Sequence, residues 1–203
     1  SKIIDNSVSA GIRTTTNSGW KIDLSNTFGR NNFHYYIKGT LNASLQGNSP
    51  TSFDAGGHSL SQNTINLDFS KNYKDVLEGF NIAFGAEHRM EKFNIFAGEE
   101  ASYATYDVNG AVVTNPLTQT IPLDPITGDA RPGGSQGFPG YSPANEVSEN
   151  RASVALYTDA ELDITKKLLV SAAVRFENYN DFGSTLNGKL ATRYKVNDNF
   201  NLR

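Results

Sequence analysis

The sequence predicts an all-β chain: an antiparallel up-and-down meander of about eight to nine strands, part of a large transmembrane β-barrel, with one long external loop. Three observations lead there. From 152 to 202 apolar residues keep to even positions: Val154, Leu156, Leu162, Ile164, Leu168, Val170, Val174, Phe176, Leu186, Leu190 and Val196. Charges keep to odd ones, including Asp159, Glu161, Asp163, Arg175, Glu177, Lys189 and Arg193. A period of two that survives several reversals means consecutive strands with one greasy and one polar face. The second observation is length. The run 152–164 extends roughly 43 Å at about 3.3 Å per residue, and tilted by about 40° it spans roughly the 30 Å of a bilayer's hydrocarbon. Strands of soluble domains usually stop at about five or six residues. The third is the placement of the prolines: six of seven fall in 97–150, and the seventh, Pro50, also reads as loop. A β-ladder excludes proline in this way.

The only charged even positions between 152 and 202 are Lys166 and Asp198. Both sit in polar triplets, 165–167 and 197–199, that read as turns. Earlier in the chain, Val8, Ala10 and Ile12 form a short first strand. Trp20, Ile22, Leu24 and Phe28 mark a second, and Gly29-Arg30-Asn31-Asn32 reads as a reversal. Phe33, Tyr35, Ile37, Leu41, Ala43 and Leu45 mark a third strand, ahead of a loop at 46–62 rich in Gly, Ser and Asn. Ile65, Leu67 and Phe69 belong to a fourth strand. After a connection at 71–79, Phe80, Ile82, Phe84, Ala86 and Met90 belong to a fifth.

Between 97 and 150 the alternation disappears. A loop of that length is foreign to a compact soluble domain but fits the long-loop end of an outer-membrane barrel. With this loop outside, 46–62 and 179–184 fall outside too, and 29–32, 71–79, 165–167 and 197–199 fall on the periplasmic side. Trp20, Phe28, Phe33, Phe69, Tyr73, Phe80, Phe93, Phe176, Tyr179, Phe182, Tyr194 and Phe200 then stand near strand ends, where interfacial aromatic girdles belong.

Bulk composition narrows the chemistry. A net charge of −3 leaves no nucleic-acid footprint, and the absence of cysteine removes disulfide frameworks and thiolate metal sites. Although hydrophobic residues make up only 37% of the chain, a barrel needs apolar side chains only at alternate positions. His34, His58 and His88 lack metal-ligand spacing, and no cofactor or metal is expected. Glu99-Glu100 reads as a solvated loop start. The glycines at 133, 134, 137 and 140 lack the Lys-Ser/Thr of a phosphate loop. No catalytic constellation emerges, so the chain is not expected to be an enzyme. Asp159 and Arg175 are expected opposite or diagonal to each other across the 165–167 turn, close enough to pair. The candidates for ligand contact are Tyr103, Tyr106, Arg131, Phe138 and Tyr141, loop residues that offer stacking surfaces and one cation.

Several stretches carry a family texture: NSPTSFDAGG at 48–57, FNIAFGAEHRMEKFNIFAGEEASY at 80–103, GGSQGFPGYSPANE at 133–146, and 150–203. In these residues the chain resembles the barrel domain of TonB-dependent outer-membrane receptors. The resemblance implies a barrel of about 22 strands filled by a plug domain, in the outer membrane of a Gram-negative bacterium. It also implies uptake of a scarce small ligand, such as an iron–siderophore, driven by the TonB complex. Residues 1–203 are then expected to be a middle section of that barrel. The plug, the TonB-binding box and the remaining strands would lie outside it, and outer-membrane lipid would surround it. The end at Arg203, inside a strand just begun at Phe200, favours a fragment. A passive porin-type barrel and a soluble all-β binding or adhesion module are the alternatives.

Overall fold

The computed structural model describes every residue, Ser1–Arg203. It contains one eight-stranded sheet in sequential order. The strands are β1 (Lys2–Thr15), β2 (Lys21–Lys38), β3 (Ser52–Tyr73), β4 (Gly79–Phe96), β5 (Val147–Asp163), β6 (Leu168–Tyr179), β7 (Gly183–Lys195) and β8 (Asn201–Leu202). A single-turn helix, α1 (Glu100–Tyr103), and two short 3₁₀ segments, Ala43–Asn48 and Pro143–Asn145, are the only helical pieces. All seven prolines lie outside the strands. Sequential antiparallel order puts the connections 39–51 and 97–146 at one end of the meander, and the short turns 16–20, 74–78, 164–167 and 196–200 at the other.

Contacts divide the chain into two compact units. One comprises 7–29, 62–91 and 150–203, and in it the burial of an ordinary fold is reversed. The registers Leu156↔Phe176↔Leu186 and Ala160↔Ala172↔Leu190 join even positions across β5, β6 and β7 into one face. That face is open: Leu186 is 72% and Leu190 76% exposed, while on the odd face Ser153 is 4% and Glu177 8% exposed. Each large aliphatic side chain left in water forgoes about 1.5–3 kcal/mol of burial free energy. Val154, Leu156, Val174, Phe176, Leu186 and Leu190 are all exposed in this way. An apolar solvent outside the protein relieves that cost, and a second protein layer covering these residues is absent from the chain. Rings gather by the 16–20 turn: Phe84 packs against Trp20 (5.6 Å) and Phe69 (5.1 Å), and the Lys71 ammonium lies 4.5 Å from the Tyr73 ring centre.

The other unit comprises 1–6, 30–61 and 92–149. Its centre is small and polar, with Asn42, Ser44, Ser102 and Ser135 fully enclosed beside Ala55. Asn42 Nδ2 donates to the carbonyls of Ala101 (2.9 Å) and Ala104 (2.8 Å), and its Oδ1 accepts from the Ser44 hydroxyl (2.7 Å). Ser44 Oγ in turn accepts the Tyr106 N–H. These bonds tie the 39–51 connection to the long loop. A β-carbon on Gly98 would stand 2.4 Å from the Asp54 carbonyl oxygen, and one on Gly140 would meet Ser102 Oγ at 2.1 Å. The stretches 48–57, 96–103 and 133–146 converge here, and backbone approaching backbone is what demands their glycines.

Five sequence expectations change. The first strand, expected to be short, runs fourteen residues from Lys2 to Thr15. Gly29–Asn32 is no reversal, because β2 runs straight through it. Side-chain bonds Arg13–Asp23, Ser9–Thr27 and Asp5–Asn31 step four residues at a time along both strands, so the register is unbroken. What looks like a turn is a change of apolar parity, from even (Trp20 to Phe28) to odd (Phe33, Tyr35). Phe28 and Phe33 consequently lie within a strand rather than near its end. The strand expected from Phe33 to Leu45 ends at Lys38, and β3 begins at Ser52 inside the expected 46–62 loop. There Gly56, at φ 74°, and Gly57, whose β-carbon would strike the Phe33 carbonyl oxygen at 2.1 Å, serve close strand contact rather than a loop. The long loop ends at 146, because β5 starts with Val147 in a polar stretch that lacks alternation. Lastly, Arg175 stands opposite Tyr157 and diagonal to Asp159, but it bonds Glu87 and Glu177 instead of Asp159.

Face identity gives a direct expectation. In the protein carrying this chain, refolded into lipid bilayers, Leu190→Arg should destabilise by about 2–4 kcal/mol in denaturant unfolding, whereas Asn187→Arg on the odd face should change stability by less than about 1 kcal/mol. Equal losses at both positions would contradict the assignment.

Candidate functional site

Two arrangements could meet a ligand or a partner. The first is the polar face of the unit containing β5–β7. Arg175 Nη2 donates to Glu87 (2.9 Å) and Glu177 (3.2 Å), and Arg89 Nη2 donates to Glu87 (2.7 Å). The Tyr157 hydroxyl donates to Asp68. Its ring lies on Gly85, where a β-carbon would fall 2.7 Å from the Tyr157 Cζ. A bare glycine is thus required beneath the tyrosine. Beside it opens a recess of about 490 Å³ with Asn66, Asp68, Asp159, Asn187 and Lys189 in its wall. The carboxylates of Glu87 and Glu177 are held by arginines, and that of Asp68 by the Tyr157 hydroxyl. The chemistry offered is that of a hydrated wall with fixed, nearly balanced charges.

The second arrangement belongs to the unit that holds the long loop. Six rings run together there. Tyr35 lies 4.4 Å from Phe33, 4.7 Å from Phe138 and 6.2 Å from Tyr141, between ring centres. His58 stacks on Phe33 at 5.6 Å and reaches Phe93 at 6.3 Å. Phe93 and Phe138 keep more than a third of their surface open. This group can stack a flat or apolar molecule, with the Tyr hydroxyls and the imidazole as its polar edges. No group of three or more His, Asp or Glu side chains converges to hold a metal ion.

The five loop residues singled out in the sequence separate. Phe138 and Tyr141 come together around Tyr35. Tyr103 ends α1 and is half-buried. Tyr106 is enclosed, and its hydroxyl donates to Glu100 (3.1 Å). Burial, reinforced by that carboxylate, pushes the Tyr106 phenol up to about 12, so it stays neutral at any ordinary pH. Arg131 Nε donates to the Leu123 carbonyl within its own hairpin. Tyr35, Phe33 and His58 were not among those five candidates. The signal for Phe33 and Tyr35 was the parity change in β2, which puts rings on the positions that carry Asp23, Thr27 and Asn31 earlier in the same strand.

Two expectations follow from the loop. Asn42→Ala takes a donor from the carbonyls of Ala101 and Ala104, of which Ala104 keeps the Gly134 N–H, and deprives Ser44 of its acceptor; it should cost about 2–4 kcal/mol of local stability. Amide exchange across 100–106 and 132–136 should accelerate accordingly; unchanged exchange would remove Asn42 from its central place. The second concerns acid. Asp107 accepts N–H bonds from Ala111 and Asn109, both at 2.9 Å, and these hold its carboxyl below the usual aspartate range. A depressed carboxyl stabilises the fold above its unfolded value and loses that effect as pH falls through the folded value. The 107–119 turn should therefore be firm near neutrality and loosen only on strong acidification, and Asp107→Asn should abolish that dependence, as read by exchange normalised to intrinsic rates.

Comparison with known proteins bears on the whole chain. A family model described as TonB dependent receptor-like, beta-barrel, matches residues 3–203. No curated protein matches. A mutant of the ferric enterobactin receptor PfeA of Pseudomonas aeruginosa is similar in structure, with TM-score 0.53 and 12% identity over 97% of this chain and 24% of that one. The siderophore receptor PirA of Acinetobacter baumannii is similar with TM-score 0.55 and 15% identity over 97% of this chain and 24% of that one. At these identities the likeness speaks to the fold, and the chain spans about a quarter of the length of either structure. With the match running from residue 3 to 203 over an open apolar face and a polar reverse face, the chain belongs to the TonB-dependent receptor β-barrel family.

Proposed function

We propose that this chain is a section of the barrel wall of an outer-membrane receptor that takes up a scarce small ligand under TonB drive, in a Gram-negative bacterium. The single observation that carries the reading is the reversed burial of β5–β7, with Leu186 and Leu190 open and Glu177 enclosed. A soluble module would have to cover those leucines. In this reading all of 1–203 is barrel, with 97–146 as an external loop. Its partners are the remaining strands, a plug domain against the polar face, the TonB complex reached through other parts of the protein, and outer-membrane lipid. The reading contains no catalytic step.

The first ligand class to test is an iron–siderophore, because the two similar structures are named as receptors for such compounds. The group of Tyr35, Phe138 and Tyr141 is the proposed contact, and the balanced polar wall is the proposed hydrated lining. The experiment is uptake of labelled ferric siderophores by cells with and without the full-length gene, and with and without TonB. Uptake that requires both supports the proposal. Uptake that persists without TonB would make the protein a passive porin. For the compound taken up, Tyr35→Ala with Phe138→Ala should weaken binding to the purified receptor at least about tenfold, since each aromatic contact contributes roughly 0.5–1.5 kcal/mol beyond its buried area. Unchanged affinity would remove the aromatic group from the site.

A further inference from the structure

One charged residue stands on the open apolar face of β3. Ile65, Leu67 and Phe69 occupy that face, Lys71 follows in the same parity, and Tyr73 closes the strand. The reverse positions are polar: Asn66, Asp68, Ser70 and Asn72, the last of which donates to Asn81 of β4 (2.8 Å). A charge facing lipid is costly at mid-membrane and costs little at the interface. Lys71 lies two residues from the end of β3, at the short-turn end of the meander, which is an interfacial depth.

Rings frame the ammonium. It lies 4.5 Å from the ring centre of Tyr73 and 5.8 Å from that of Trp20. Trp20 meets Phe84 edge-on, Phe84 stacks on Phe69, and Tyr73 stacks on Phe80 at 5.9 Å. The 16–20 turn closes in as well, since a β-carbon on Gly19 would stand 3.8 Å from Lys71 Cε. Yet the ammonium has no anion. Every ion pair of the chain is made by another cation, and Asp75 and Glu78 in the adjacent turn stand beyond ion-pair reach of it. Trp20 bonds Thr16 through its backbone, its N–H donating to Thr16 Oγ1 (3.0 Å) and its carbonyl accepting the Thr16 N–H (2.8 Å), which leaves the indole N–H without a partner. The Tyr73 hydroxyl has none either. All three donors reach the surface, because the one enclosed side-chain atom without a partner is Arg89 Nε.

We propose that Lys71, with the Trp20 indole N–H and the Tyr73 hydroxyl, binds the phosphate of an anionic phospholipid in the periplasmic leaflet. This rests on the function proposed above, in which the open face meets lipid and the short-turn end is periplasmic. A lysine stem lies along apolar surface and carries its charge out to the headgroups. A phospholipid brings phosphate to that depth, and its acyl chains lie along Leu67 and Phe84, both of which are open. Inorganic phosphate has no apolar part to lie on this face. An anionic headgroup suits the site better than a zwitterionic one, because it carries no cation of its own to compete with Lys71 for the phosphate. The two rings hold the ammonium by cation–π attraction and offer their N–H and O–H at the wet edge.

The test uses the full-length protein in phosphatidylcholine nanodiscs with a rising fraction of phosphatidylglycerol. An environment-sensitive fluorophore attached through Ser18→Cys, in the turn beside Lys71, reads occupancy locally, and its signal should saturate. Lys71→Gln should need about fivefold more phosphatidylglycerol for half the response, the worth of one lysine at an anionic surface. Lys71→Arg should keep the response. So should Lys21→Gln, which removes a charge at the same end of the meander but on the polar face, where Lys21 shares a wall with Arg13, Asp23 and Asp68. Inorganic phosphate in molar excess should leave the response unchanged. A response that never saturates, one unaltered by Lys71→Gln, one lost in Lys71→Arg or Lys21→Gln, or one displaced by inorganic phosphate would each overturn the proposal. A protein that stays monodisperse without detergent would remove the lipid-facing reading with it, whereas loss of the phosphatidylglycerol response alone leaves that reading standing.

Discussion

Inside a bilayer no water is present to hydrogen-bond backbone N–H and C=O groups, so a strand there must give all of them to its neighbours. Everything else in this chain adapts to that requirement. Side chains are then free to sort only by face, and the sorting is strict where lipid and water are both close. Across β5, β6 and β7 the registers join even positions to even positions, so a single slip would carry Leu186, Leu190 and their neighbours to the polar side. The same strictness sets the reverse face. There Arg175, Glu87 and Glu177 satisfy one another, and Tyr157 occupies the space that Gly85 leaves open.

The unit that carries the long loop is built on a different principle. Its enclosed residues are Asn42, Ser44, Ser102 and Ser135 rather than aliphatics. A centre of that kind gains little from the hydrophobic effect and relies on complete hydrogen bonding and on backbone packed against backbone. This explains the concentration of glycine at 56, 57, 98, 133, 134 and 140, each of which would drive a β-carbon into a neighbour. All six of these glycines lie within stretches that carry a family texture, 48–57, 80–103 and 133–146. Lipid-facing positions accept many apolar residues, whereas a site with room only for hydrogen accepts one.

Legibility in the sequence followed the same division. From Ala152 onward the last three full strands could be read by their alternation, because mid-membrane charge is penalised on one face and permitted on the other. The long loop was legible from its prolines. The continuity of β2 was not, because its apolar side chains change parity at a polar quartet that resembles a turn, and only cross-strand partners such as Asp5 and Asn31 reveal the unbroken register. The start of β3 was hidden by Gly56 and Gly57, which read as loop until the strand beside them is known. In the candidate site, Phe138 and Tyr141 stood out as rings in a loop. Tyr35 did not, since its meaning comes from residues about a hundred positions away. Arg131 and Tyr106 stood out for the same reason as Phe138, yet their polar atoms are engaged by Leu123 and Glu100 within the loop.

The account stands on one physical statement, that alternate side chains of the last hairpins face two different solvents. Single nitroxide labels placed in turn at 184 through 194 of the full-length protein in lipid vesicles test it most directly. Collision with oxygen, which concentrates in hydrocarbon, and with a water-soluble nickel chelate should oscillate out of phase with a period of two residues. Oxygen should dominate at 186, 190 and 194, and the chelate at 187, 189 and 193. Labels at the even positions that meet neither reagent, or a pattern without the two-residue period, would contradict it.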